Sequence, residues 1–466
     1  MKTLAAACFG LLLCMASAAA QGEKKTQPPD FDGMKALKHP DPDVRLSAAI
    51  LLCDLGPVAK FAVPTVKEQL KEEKVTLIKV KLVEALWKID KPPARDLLPV
   101  LLEALQDKDE AARAAAANVI GQFGANAKSA VGALSKALAD KDLTVQAEAA
   151  MALGEIGPGA KAAVPALLAT LKSDEAPKLL EPFVVGTLGK IGEPAVPQLK
   201  EALAAKEYRL KRGAAEALAL MGKEAADAVE PLGKLLAAQE GDLRGVAARA
   251  LGRIGPDAKA TAATLVKLLD DSDLQVALNA AVALWQIDKS PAGEKVLLGA
   301  LKHANPKHRE LGCKACAELD GAKILPVGPL AACVKDPELR VRLLAEDALG
   351  RNGKAATEAA PVLRTALKDE DANVRVGAAA ALWQIEKNAK EVVPLLSGWA
   401  VDRKNPTSAR KAAVVALGEI GADARPVFDA LVEVYRDDTD SLTVRRAIVY
   451  ALRKIDAKAA VKAGVR

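Results

Sequence analysis

The chain has 466 residues, of which 51% are apolar but only 3% aromatic. Length alone suggests about three globular domains, but a core of Ala, Leu, Val and Ile favours closely packed helices over sheet, because sheets lean on β-branched and aromatic residues. The net charge is only +6, with acids and bases interspersed, which argues against the basic stripe of a general nucleic-acid binder.

Lys2, the apolar run from Leu4 to Met15, and Ala18, Ala19 and Ala20 before Gln21 follow the order of a secretory signal peptide. Residues 1–20 are therefore set aside from the fold. The stretch is short for a membrane anchor, and Leu13 before Cys14 is the wrong residue for lipidation. The polar, Pro-containing stretch 21–31 reads as a disordered leader. No later stretch approaches 18 uninterrupted apolar residues, so the mature chain is expected to be exported, periplasmic or secreted, without stable membrane insertion.

From residue 32 to 460 the sequence repeats. The string ALGEIG ending at Gly157 recurs as TLGKIG ending at Gly192, ALGRIG at Gly255, ALGRNG at Gly353 and ALGEIG at Gly421. A sister form ends as ALWKID at Asp90, ALWQID at Asp288 and ALWQIE at Glu386, and degenerate copies end at Gly56, Gly124, Gly222, Asp320 and Asp456. The thirteen stops lie 30 to 35 residues apart, which makes residues 32–460 one array and leaves 461–466 as a C-terminal tail. Each period holds two predicted helices. One is exemplified by Val164 to Leu171, followed by the polar turn SDEAP, and the other by Val374 to Ile385, where Val374, Ala378, Leu382 and Ile385 form an amphipathic stripe. Gly or Asp is expected to stop the second helix. Prolines such as Pro64, Pro99, Pro165, Pro197, Pro361, Pro394 and Pro426 should sit near the start of the first helix. Turn aspartates such as Asp41, Asp43, Asp140, Asp142, Asp271 and Asp273 can cap the second.

The pattern D-x(5)-R-x(2)-A-A-x-A-L-G-x-I-G resembles the HEAT repeat, in particular the short bacterial form related to phycobilisome-lyase-like HEAT repeats, over about residues 40 to 460. Ankyrin and tetratricopeptide strings are missing. The resemblance implies an all-α fold, an armadillo-like α-solenoid of about 13 helix-turn-helix repeats whose second helices line a concave face. It also implies a hydrogen-bonded ladder between neighbouring repeats, made by a turn Asp and a second-helix Arg. Asp107 and Arg113, Asp336 and Arg342, and Asp369 and Arg375 keep the six-residue spacing and are assigned to that structural ladder. Gln146 follows Asp140 and Ala277 follows Asp271 at that spacing, so the ladder should be interrupted there.

The chemistry candidates read mainly as structure. Cys313 and Cys316, with His303 and His308 nearby, raise a metal or redox site, but Cys313 aligns with Ala150 and Cys316 with Leu153 in the core. There a free Cys behaves as a small hydrophobe. Positions i and i+3 of a helix are too far apart for an unstrained bridge between these two, while pairing of Cys316 with Cys333 stays open. Three histidines and no His-Glu pair leave the di-iron chemistry of some HEAT relatives without ligands, so no catalytic, cofactor-binding or metal residue is assigned. Trp87, Trp285 and Trp383 occupy the position of Gly154, Gly252 and Gly418 and mark a repeat subtype in which the indole fills the gap that glycine leaves.

Recognition is expected where copies vary, two and six residues before each stop, at pairs such as Glu84/Lys88, Asn118/Gln122, Glu216/Leu220, Arg249/Arg253 and Asp347/Arg351. In repeats six and seven Arg209, Lys211, Arg212, Arg244, Arg249 and Arg253 cluster without matching acids beside that stripe, which points to an acidic protein partner. The expected function is a non-catalytic protein-interaction scaffold in the cell envelope or outside the cell. The alternative is a lyase-like or metal- or cofactor-dependent HEAT enzyme.

Overall fold

Alanine and leucine at helical spacing make helices, and the described residues contain helices and turns with no strand. The computed structural model describes residues 32–172, 178–319, 324–437 and 439–465. The proposed signal peptide and leader, the turn SDEAP and the stop at Asp320 lie outside them. The chain divides between Lys289 and Ser290 into two compact units, and each by itself is a stack of helix pairs. The fold class is an all-α solenoid, as the sequence repeats require.

How the second helix stops depends on the repeat subtype. In glycine repeats, for example Gly241–Ile254, the residue after the helix is Gly255 at φ 82 and ψ −139, a conformation that side-chain-bearing residues avoid. In tryptophan repeats the helix runs one residue further, as Thr76–Asp90, Leu274–Asp288 and Ala372–Glu386. Their terminators are Lys91, Lys289 and Lys387 in the left-handed region, at φ 46, 62 and 55. The acid expected as the stop is therefore the last helical residue. The Lys289 and Lys387 ammonium groups lie 5.0 and 4.9 Å from the centroids of Trp285 and Trp383, so a cation–π contact accompanies the left-handed turn.

A third element, not foreseen from the repeat pattern, follows most glycine stops. Segments such as Gly56–Ala62, Gly157–Ala163 and Gly353–Ala359 are seven-residue 3-10 helices. With three residues per turn, alanines at the fourth and seventh positions fall on one line, and Ala160 and Ala163 are fully buried. Pro64, Pro165, Pro197 and Pro361 then open the first helix as expected. Pro99 and Pro394 instead fall inside Ala94–Ala104 and Ala389–Val401, because after these tryptophan repeats no 3-10 segment intervenes and the first helix starts earlier. Pro426 lies within the 3-10 segment Gly421–Val427.

Two further differences concern the ends of the array. Residues expected as a tail are partly packed, since Ala457–Lys462 is helical and Val465 is buried. The run Pro42–Glu72 is long and apolar enough to cross a membrane, but Gly56 at φ 53 breaks it, and Ala49, Leu52 and Val66 are fully buried.

Successive second helices touch through small residues. A methyl group added at Gly121 would stand 3.0 Å from the Cα of Ala152, and at Gly252, Gly350 and Gly418 it would stand 2.9, 3.2 and 2.9 Å from the Cα of Ala283, Ala381 and Ala451. In the tryptophan subtype, Trp87 rests on the buried ring of Phe123 with centroids 4.4 Å apart. The contact sets a test against helix propensity, which favours Ala over Gly by about 1 kcal/mol. Gly418→Ala is expected to lower stability by about 1–3 kcal/mol through overpacking. Gly299→Ala, in the helix Glu294–Leu301 where nothing lies within 4 Å, is expected to raise it by about 0.5–1 kcal/mol. Denaturant midpoints of the two variants should move in opposite directions.

Candidate functional site

The turns before four of the second helices carry an Asp-x-Asp pair with divided labour. The second Asp is the N-cap: Asp109, Asp142, Asp273 and Asp371 accept from backbone N–H groups of the first turn. Asp41 does the same for Pro42–Leu55, whereas Asp43 lies inside that helix's first turn. The first Asp accepts the N–H of the second, as Asp140 does from Asp142 at 2.9 Å, and its remaining oxygens face the preceding repeat.

There it meets an arginine. Arg113 holds both oxygens of Asp140 at 2.7 Å and donates its other nitrogen to the carbonyls of Asp107 and Lys108. Each rung therefore runs from the Arg of one repeat to the Asp of the next. The six-residue spacing within a repeat is closed by the aspartate's carbonyl, not its carboxylate. Arg244 with Asp271, Arg309 with Asp336, Arg342 with Asp369 and Arg410 with Asp440 repeat the rung, Arg45 with Glu73 is a variant of it, and Arg375 reaches Asn405 at 3.1 Å. Asp107 accepts from Thr76 in place of an arginine. At the expected breaks Gln146 donates, among the described residues, to the carbonyl of Asp140, and the Ala277 side chain has no donor. The guanidinium hydrogen bonds hold Asp140, Asp271 and Asp440 below the usual carboxylate range. Burial pushes Glu73 up, but Arg45, Gln69 and the backbone bring it down to about 2.

The basic cluster assigned from the sequence needs correction. Arg212 binds Glu181 at 2.7 Å and Glu216 at 2.8 Å, with Asp242 at 3.7 Å. Arg209 approaches Glu181 at 3.6 Å, and Arg244 is a rung of the ladder. These acids belong mostly to other helices about 30 residues away, so inspection along one helix could not pair them. Arg209, Arg212 and Arg244 of the cluster are thus paired within the chain. The cluster therefore carries no argument for an acidic partner.

The variable stripe of the second helices is largely tied to itself. Lys81 and Lys88 bind Glu84 at 2.8 and 2.7 Å, Gln122 bonds both Glu84 and Asn118, and Asn118 bonds Glu148 at 2.9 Å. Burial raises the Glu84 carboxyl, yet these donors bring it to about 2. The stripe turns apolar at Met151, Phe183 and Leu220, which are 37%, 40% and 62% exposed. The salt bridge of Glu155 with Lys190 at 2.6 Å sets the register and places Met151 one turn away, level with Gly186. Above Gly186 the space is open, and the Leu220 side chain lies over Gly189. The result is a run of exposed apolar side chains on three successive second helices.

The other sequence candidates lie in the core or at the ladder. Cys53, Cys313, Cys316 and Cys333 are buried and free, and among the described residues no three His, Cys, Asp or Glu side chains converge as metal ligands. His303 and His308 stack at 4.1 Å, and His303 Nδ1 accepts from the N–H of Asn305. A cleft of about 510 Å³ lies on the ladder edge, lined by Asp336, Arg342, Asp369 and Glu370 among others. Beneath that edge Glu346 is 1% exposed, and neither carboxylate oxygen is hydrogen-bonded among the described residues. Burial and the charges of Asp369 and Asp371 push its pKa well up, against the pull of Arg342. Gly377 opposite leaves room for the carboxyl, since a methyl group there would collide with it.

Helix pairs stacked through glycine and alanine and stapled by an Asp-Arg ladder define a helical-repeat solenoid. The HEAT repeats model matches residues 98–183, 294–383, 327–416 and 360–453, together more than half of the chain, and the chain belongs to the HEAT repeat family. No curated protein matches the sequence. Among solved structures, a mutant of Kap121p superposes with a TM-score of 0.54 at 14% identity, over 96% of this chain and 60% of that one. The karyopherin Kap121p bound to the extreme C-terminus of the protein phosphatase Cdc14p gives 0.53 at 14% identity, over 95% and 59%. The chain spans about 60% of the length of these proteins, and at such identity the likeness concerns the fold.

Glu346 yields a pH prediction. A carboxyl whose folded pKa exceeds its unfolded value supports the fold fully below the unfolded value, near 4.5, and that support is lost as pH rises toward the folded value. Glu346→Met, which keeps the volume and removes the charge, is expected to stabilise the protein by about 2 kcal/mol at pH 7.5. The gain over the parent should shrink as pH falls to 4.5. Thermal unfolding of both proteins across that range checks it, and a gain independent of pH would show that ionisation is not the cause.

Proposed function

We propose that the chain is a non-catalytic protein-binding scaffold acting in the cell envelope or outside the cell, and that its partner docks on the second-helix face around Met151, Phe183 and Leu220. The carrying observation is the run of exposed apolar side chains itself: adjacent stripe positions such as Glu155 and Lys190 are engaged in ion pairs within the chain, whereas these three side chains stand in solvent beside open space at Gly186. Exposed apolar patches with polar borders mark interaction sites. The run suits a protein segment that presents two or three apolar side chains, with Glu148, Glu155 and Lys190 at its border. The solenoid fold supports the reading, since Kap121p holds the extreme C-terminus of Cdc14p in one of the structures this chain resembles.

The test places a photo-crosslinking residue at Phe183 in the full chain. Partners captured by the parent should be lost from a Met151→Asp/Leu220→Asp variant and retained by a Lys161→Glu variant on the 3-10 segment Gly157–Ala163, with helical content unchanged in all three. Capture undiminished by the aspartates would overturn the assignment of this face.

Export rests on the order of charge, apolar run and small residues in 1–20. Protein recovered from the envelope or medium is expected to begin at or near Gln21 by N-terminal sequencing. An intact Met1 on protein confined to the cytoplasm would remove the localisation.

A further inference from the structure

The ladder rung between Arg309 and Asp336 frames two cysteines. Arg309 lies in the helix Pro306–Ala317 and binds both oxygens of Asp336 at 2.6 and 2.9 Å. Cys313 stands one turn after that arginine, and Cys333, at the end of Val327–Cys333, stands one turn before that aspartate. The rung therefore brings the two residues face to face beneath it. The Cys333 thiol lies 3.7 Å from the carbonyl of Leu301, and a methyl group on Gly312, next to Cys313, would stand 3.1 Å from the nitrogen of that same leucine. Cys316, the partner the sequence left open for Cys333, lies three residues beyond Cys313 along the same helix. In other repeats the same two places hold Ala117 and Ala137 below the rung of Arg113 with Asp140, and Ala248 and Leu268 below that of Arg244 with Asp271. Packing alone is satisfied there by apolar carbon.

We infer that Cys313 and Cys333 are a dithiol that oxidises to a disulfide, a covalent clasp between the second helix of one repeat and the first helix of the next. Reactivity divides between the two sulfurs as such a step needs. The Cys313 S–H lowers the Cys333 pKa, helped by the nearby Arg309 charge, while contact with Cys333 and burial raise that of Cys313. Cys53 and Cys316 are pushed up by burial to about 12 and stay as inert thiols.

The oxidant is a small disulfide such as oxidised glutathione. The Cys333 thiolate attacks one of its sulfurs, the glutathione S–S bond breaks, and one glutathione leaves and takes up a proton. Cys313 then gives up its proton and attacks the Cys333 sulfur, forming the Cys313–Cys333 bond and expelling the second glutathione. Two thiols lose two electrons and two protons, and the oxidant becomes two thiols. Cys313 is fully covered and Cys333 4% exposed, so the reaction proceeds through local opening of the repeat junction.

Full-length chain is oxidised with glutathione disulfide, both in the native state and during refolding from urea, then denatured, alkylated and mapped by mass spectrometry. The expected result is one linked pair of peptides carrying Cys313 and Cys333, with Cys53 and Cys316 alkylated. The oxidised protein should unfold about 5 °C above its reduced form. Cys313→Ala and Cys333→Ala, which install the residue type of sister repeats, should each abolish both the linked pair and the shift. Linkage through Cys316 instead, or both sulfurs alkylated even after oxidative refolding, would overturn the inference.

Discussion

Everything in this molecule depends on how closely one second helix can approach the next. No repeat can bury its apolar face alone, so stability comes from neighbouring interfaces. At Gly252 and Gly418 those interfaces bring one backbone to where even a methyl group would stand 2.9 Å from the next Cα. Composition follows from that constraint: a chain whose helices meet through glycine and alanine has little room for aromatic side chains. Where an aromatic does enter, at Trp87, Trp285 and Trp383, the helix terminator changes with it, from glycine to a left-handed lysine. Interface and terminator belong to one switch, because two of those lysines cover the ring that replaces the glycine.

Close approach alone would let helices slide, and the ladder supplies the missing register. Arg113 donates to two carbonyls of its own turn and to both oxygens of a carboxylate of the next repeat, so a shift of one repeat past the other would break the two hydrogen bonds that cross between them. Bidentate, partly buried pairs of this kind are directional in a way apolar contact is not. The same economy extends across the second-helix face, where Glu84, Asn118, Gln122 and Glu148 bond one another. Charge is largely turned to internal use. The exposed apolar side chains of Met151, Phe183 and Leu220 on that face are what a search for basic clusters passes over.

The sequence made the solenoid legible because its signal is periodic: thirteen stops, a repeated stripe and prolines near helix starts all reflect local chemistry. The 3-10 segments were less visible, since alanines at a spacing of three look like ordinary helix until the following stripe is found out of phase. The ladder residues could be named and its breaks at Gln146 and Ala277 placed, but the direction of each rung could not, because Arg113 to Asp140 spans 27 residues and Asp107 to Arg113 only six. The basic cluster misled for the same reason. Glu181 neutralises Arg212 from 31 residues away, a distance set by stacking, not by any helix period. The apolar run had a signal available in principle, Met151, Phe183 and Leu220 on the outward stripe around Gly186, yet single apolar residues at outward positions are too common to stand out.

The place beneath each rung shows where such an array tolerates variation. The residue one turn after the arginine and the one a turn before the aspartate are covered at four of the rungs, as Ala117 and Ala137, Ala248 and Leu268, Cys313 and Cys333, or Glu346 and Ala366. Because the rung and the glycine contacts already hold the junction, this enclosed site can change chemistry without changing the fold. Alanine there makes the junction inert, whereas the carboxyl of Glu346 makes it weaker when charged and two thiols give it a bond that can be made or broken. In a stack whose stability is a sum over neighbours, a change at one junction alters the opening of that junction and leaves distant ones unaffected. The two consecutive rungs of Arg309 and Arg342 are therefore where solution conditions reach the interior of this solenoid, through proton and electron transfer to groups that the ladder encloses.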